Sequence, residues 1–170
     1  MRFIGAFLLV CVSCLAVTAE EALDRAGPVA FLGVVFLDTS TEGDYFGERP
    51  EERARVALLE RTIRDRLQAE GFMLADLAPI RADLDNTVNP ANCYGCEVRM
   101  AEKAGARYVV VGMVQKVSNL ILSMNLVMRS VPDGAVVRAR SADIRSNTDD
   151  SWLRGMNYIL KTAFFTEGTR

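Results

Sequence analysis

RYVVVGMVQKVSNLILSMNLVMRSVPDGAVVRARSADIRS, residues 107–146, holds three strand-like runs parted by two short turns. Ser118-Asn119 divides the first run from the second, and Pro132-Asp133-Gly134 divides the second from the third. Turn residues this close together between branched, apolar runs predict an antiparallel meander. In the middle run Leu120, Leu122, Met124, Leu126 and Met128 alternate with Ser123, Asn125 and Arg129. A strand of that kind turns one face to a core and leaves the other at least partly wet.

Upstream, VAFLGVVFL (residues 29–37) is a nearly continuous apolar run. Its length and branched composition predict a central strand covered on both faces. Between these sheet segments, Val56, Leu59, Ile63 and Leu67 recur at helical spacing, and Gly71 marks the stop. The other side of that helix carries Glu51/Arg55 and Glu60/Arg64 four residues apart, a self-paired solvated face. Residues 72–74 allow only a short strand, and residues 75–92 read mostly as loop. A second helix is expected from about Cys93 to Ala104, before Gly105. A last helix follows Asn147-Thr148-Asp149-Asp150, with Trp152, Met156, Ile159, Leu160 and Phe164 on one side as core. The fold class is α/β (α+β), a single mixed sheet in the order β-α-β-α-β-β-β-α with helices packed on it. Crossover helices make parallel neighbours and tight turns make antiparallel ones.

The first residues, MRFIGAFLLVCVSCLAVTAEE, have Arg2 as the only charge before an apolar run that ends at Val17-Thr18-Ala19. That is a secretory signal over residues 1–19, with a single domain over 20–170, and it predicts a periplasmic protein. The run is shorter than the ~20 residues of a spanning helix, so no transmembrane segment is expected after cleavage. Acylation at Cys14 is the less favoured reading, because it would leave an unusually short apolar region. Removing residues 1–19 moves the formal net charge from −2 to −3, which does not suit a nucleic-acid or anionic-membrane surface.

The chain contains no histidine, so the usual general base and commonest metal ligand are missing. Gly33, Gly43 and Gly47 do not form a phosphate-binding loop. Cys11 and Cys14 leave with the signal, and Cys93 and Cys96 form a disulfide by default in an oxidising compartment. Two thiols are too few for a structural zinc site. A redox centre has the helix N-terminus in its favour. Against it, such motifs follow a strand directly, whereas residues 83–90 are polar. The favoured role is structural, closing the first turn of a helix that Gly95 would weaken. In DTSTEGD, Asp38, Ser40 and Glu42 occupy the first, third and fifth positions of a calcium loop, but Arg49 stands where the twelfth-position glutamate belongs. A solvated loop is the simpler account; if a small molecule binds, Asp38, Ser40 and Glu42 are the candidate residues, at the C-terminal end of the first strand. Arg138 and Arg140 share a face of the last strand, most simply a solvated one.

The stretches VVFLDTSTEG, KAGARYVVVGMVQKV and LVMRSVPDGAVVRA resemble the amino-terminal domain of TolB and related envelope assembly factors. More closely, CYGCEVRMAEKAGA, VQKVSNLILSMNLVMR and NTDDSWLRGMNYIL resemble a family of small secreted Gram-negative bacterial proteins that carries a domain of unknown function. The likeness implies a fold and a compartment, with no activity to carry over. The expectation is a non-enzymatic periplasmic binding or adaptor module that meets an unidentified envelope protein and uses no cofactor and no metal. The alternative is a thiol-disulfide redox protein using Cys93 and Cys96.

Overall fold

The computed structural model describes residues 23–165. The expected signal, its cleavage point at Ala19 and the acylation candidate Cys14 lie outside the described residues. Four strands form one sheet in sequence order: β1 (Val29–Asp38), β2 (Tyr108–Ser118), β3 (Ile121–Ser130) and β4 (Val136–Ile144). β1 lies parallel to β2, and the other two pairings are antiparallel. The mixed sheet and the meander are therefore as the turn spacing predicts.

The middle strand behaves as its alternation implies from Leu122 onward. Leu122, Met124, Leu126 and Met128 are fully buried, but Leu120 sits in the β2–β3 turn and is 70% exposed. The first face of the sheet is covered by α2 (Pro50–Ala69) and α5 (Asp149–Ile159). Leu59, Ile63 and Leu67 of α2 meet Trp152, Met156 and Ile159 of α5 over the strands, with Leu160 and Phe164 from the π-helical turn that follows. The second face is covered only in part. There α4 (Cys96–Lys103) lays Val98, Met100 and Ala101, together with Ile80, over Ala30, Leu32, Val109 and Val111.

β1 is an edge strand, not the central one its composition predicts. Its apolar run is accounted for by cover on three sides. Helices take both faces from Val29 to Val34, and the outer backbone is sealed at its start by Val29 N–H to Met73 O (2.8 Å) and Ala75 N–H to Val29 O (2.9 Å). The short strand expected at residues 72–74 is thus a single bridge, Leu74 to Val29. Next comes a bulge at Gly33, whose φ of +101° is a conformation glycine takes without strain. The Val34 N–H freed there is accepted by Glu60 Oε1 at 3.1 Å, so Glu60 does more than pair with Arg64.

Two further boundaries differ from expectation. The polar segment after β1 contains a short helix, α1 (Thr41–Phe46), capped by Ser40 Oγ accepting Gly43 N–H at 3.1 Å. Residues 75–92 hold a 3-10 turn that buries Ile80 and a short α3 (Arg81–Asp85). The second helix begins at Cys96, because the chain through Tyr94 and Gly95 is left-handed (φ 54° and 84°). The core assignment has a direct check in chemical unfolding. Leu126→Ala should lower stability by about 2–5 kcal/mol, whereas Leu120→Ala should stay within about 0.5 kcal/mol of the parent.

Candidate functional site

Asp38, Ser40 and Glu42 are brought together, but around a lysine. Lys116 is an inward-pointing residue of β2 and is 1% exposed. Its Nζ donates to Asp38 Oδ2 at 3.0 Å and Glu52 Oε1 at 2.7 Å, and lies 3.7 Å from Glu42 Oε2. The ammonium fills the position that a cation would take in the calcium-loop reading. Asp38 also accepts from the Ser40 amide and hydroxyl, at 2.9 and 2.6 Å. Gly43 has a steric reason here, since a Cβ on it would meet Asp38 Cγ at 2.5 Å. Glu42 is held from outside by Arg49 at 2.6 Å and by Asn119 of the β2–β3 turn.

Glu52 sits in the first turn of α2, where a carboxylate also suits the helix dipole. It accepts from Asn147 Nδ2 at 2.9 Å, and Asn147 Oδ1 in turn accepts the Trp152 indole N–H at 2.9 Å. Arg55, expected to pair with Glu51, instead reaches Asn147 and Asp149. One buried ammonium thereby ties β1, α1, α2, the β2–β3 turn and the β4–α5 connection. Lys116 and Glu52 were legible in principle. Lys116 is two residues beyond Val114 on the inward face of β2, and Glu52 is four before Val56 on the stripe that continues to Leu59 and Ile63.

Burial pushes the Asp38 carboxyl up, but the bonds from Ser40 and Lys116 outweigh it and hold its pKa below the usual value. Burial pulls Lys116 down, but Glu52 and Asp38 outweigh it and its pKa is raised. Lys116 and Glu52 are closed off from solvent, while Asp38 and Glu42 stay partly open to it, so the pairing places the candidate residues around an internal cation.

Cys93 and Cys96 lie elsewhere, joined as a disulfide with Cα atoms 5.4 Å apart. The bond closes the turn that enters α4 and not the first turn of the helix. Glu97 Oε2 is 3.2 Å from Cys93 Sγ, and Glu97 Oε1 is 3.4 Å from Arg129 Nε. Among the described residues Cys93, Cys96 and Glu97 alone form a cluster with metal-ligand spacing, and both sulfurs are committed to the disulfide. Beside this turn a cavity of about 250 Å³ opens over the sheet's second face, walled by Val109, Val111, Met113 and Val127, with Asn125 and Arg129 at the side. Past it the same face is uncovered, and by strand alternation Leu37, Val117 and Ile121 point out of it, each 40–50% exposed. No helix among the described residues is long and apolar enough to cross a membrane.

Removing the ammonium strands Glu52, so Lys116→Met should cost about 3–5 kcal/mol in unfolding experiments, and Lys116→Met/Glu52→Leu should recover most of the loss. Asp38, with a lowered pKa, stabilises the fold above its unfolded value near ~3.9 and loses that contribution as pH falls through its folded value. Lys116, with a raised pKa, contributes below its unfolded value near ~10.4 and loses it as pH rises through the folded one. The stability gap between the parent and Asp38→Asn should therefore be largest near neutrality and shrink on acidification below about pH 4.

Among solved structures, the chain is similar to the LpoB C-terminal domain from Salmonella enterica, with a TM-score of 0.53 and 13% identity over 74% of this chain and 87% of that chain. It is also similar to the LpoB C-terminal domain from Escherichia coli (TM-score 0.52, 14% identity, 74% and 87%). A third likeness is to lipoprotein GNA1162 from Neisseria meningitidis (TM-score 0.50, 14% identity, 77% and 90%). At these identities the likeness is one of fold. No curated protein matches the chain. The profile of a family described as "Protein of unknown function (DUF2380)", DUF3280, matches residues 28–164, and the chain belongs to that family.

Proposed function

We propose that this chain is an exported, non-enzymatic binding module of the bacterial cell envelope, with residues 1–19 as its signal and residues 20–170 as its domain. Its working surface is the uncovered half of the sheet's second face. The observation that carries the reading is that apolar face. The covered half lies under α4, while Leu37, Val117 and Ile121 stand in solvent beside a cavity with apolar walls. A sheet face half-covered by its own helix suits an amphipathic helix of another protein, packed alongside as α4 packs. The resemblance to the amino-terminal domain of TolB and the shared fold with LpoB domains and a lipoprotein support an envelope setting by analogy. The lipoprotein among the fold neighbours keeps acylation at Cys14 as the alternative to release at Ala19. Mass spectrometry of the processed protein separates them, through diacylglycerol on Cys14 or a free N-terminus at Glu20.

In this reading the Cys93–Cys96 bond braces the rim of the docking face. The redox alternative has Glu97 against it, since a carboxylate beside Cys93 Sγ opposes the thiolate that exchange requires. Replacing both cysteines by serine should cost about 1–2 kcal/mol, because the closed loop is short, while partner capture persists. Affinity capture from an envelope extract is the test. The reading expects one specific protein, retained by the double serine variant. No specific capture, or mixed disulfides trapped by Cys96→Ser, would overturn it.

A further inference from the structure

The two edges of the sheet are finished differently. The outer side of β1 is closed at Val29 by residues 73–75 and at Val34, after the bulge, by Glu60. Among the described residues no strand or bridge pairs with the outer side of β4. β4 is nine residues long and exposed over most of its length. An open strand of that length presents alternate N–H and C=O groups to any extended chain. Alongside its second half runs a groove between β4 and α5, lined by Ser141, Asp143, Arg145, Arg154 and Tyr158.

Charge selects what can lie there. In a chain of net charge −2, Arg140, Arg145 and Arg154 surround this edge and groove, with Asp143 as the one acid among the lining residues. Arg140 donates to the Tyr158 hydroxyl at 2.9 Å and stacks over its ring at 5.6 Å. That partner is neutral, so it positions the guanidinium without cancelling its charge. Antiparallel pairing of β4 with a second copy in register at Arg140 would set the two Arg140 guanidiniums against each other, which like-charge repulsion opposes. A nucleic acid or lipid offers anions but no backbone to complete a ladder.

We propose that the free edge of β4 takes up an extended acidic segment of another protein as a fifth strand, its carboxylates meeting Arg140, Arg145 and Arg154. This goes beyond the docking face described above and uses a different surface, which would let one module hold two partners.

The test uses the processed full chain and a fluorescent nine-residue peptide of alternating Glu and Val, read by anisotropy. Two controls accompany it, one with Lys for Glu and one N-methylated at alternate amides in each of the two registers. The acidic peptide should bind, weaken as salt rises, and slow amide exchange in β4. The Lys peptide and one N-methylated register should bind at least about tenfold more weakly. Arg140→Glu/Arg154→Glu, two exposed positions whose fold is verified by its unfolding curve, should reverse the preference toward the Lys peptide. Failure of the acidic peptide to bind, binding indifferent to the charge reversal, or equal binding by both N-methylated registers would each overturn the proposal. If the envelope partner is still captured while the peptide fails, only this proposal falls. If the peptide binds and no partner is captured, the docking-face reading falls instead.

Discussion

The ammonium of Lys116, held 2.7 Å from Glu52 and 3.0 Å from Asp38, is the contact on which the arrangement of elements depends. Burying an ion pair is not in itself a strong source of stability, because desolvation offsets much of the attraction. Its effect is on geometry. Glu52 fixes the start of α2 over the sheet, Asp38 fixes the end of β1, and the shared Asn147 fixes the approach to α5. A wholly apolar contact would tolerate sliding among these elements, whereas charged partners at hydrogen-bond distance do not. Because both long helices are aligned at this end, they occupy the first face of the sheet together and leave the second to α4 and a 3-10 turn.

That asymmetry produces the open surface. Eight residues of α4 cover Ala30, Leu32, Val109 and Val111 and do not reach Leu37, Val117 or Ile121. The disulfide stands where cover gives way to solvent, in the turn that feeds α4. A short cross-link here stabilises little by chain entropy, but it fixes the rim of the cavity, where the backbone is left-handed at two successive residues. The strand at the far edge carries arginines, one of the ordinary means of keeping an open edge from self-association. The same groups make it selective for an oppositely charged strand.

Much of the fold was legible because its signals are periodic. The two-residue alternation of Leu122 to Met128, the helical spacing of Leu59, Ile63 and Leu67, and the aromatic stripe from Trp152 to Phe164 are all core. What escaped depended on tertiary context. Continuous apolar composition marks a strand covered on both faces, and β1 shows that an edge strand qualifies once a bulge and a neighbouring segment seal its side. Leu120 continues the alternation but falls in a turn, where the pattern has no meaning. The segment after β1 is polar and mostly exposed, as its composition implies; what composition does not reveal is that Ser40, as a helix cap, and Asp38, as a lysine partner, turn inward. Lys116 and Glu52 sat at inward-facing positions of otherwise clear patterns, and a charged residue at such a position is the sequence signal for a buried pair.

The central claim is that the open half of the second face is where this module meets its partner. Site-specific photo-crosslinking in the living envelope addresses it directly, with the reactive residue placed at Val117 or Ile121 and, as a control, at Arg61 on the exposed side of α2. The account predicts adducts to one discrete envelope protein from positions 117 and 121 and none from position 61. Adducts from position 61 in equal yield, or none from positions 117 and 121, would contradict it.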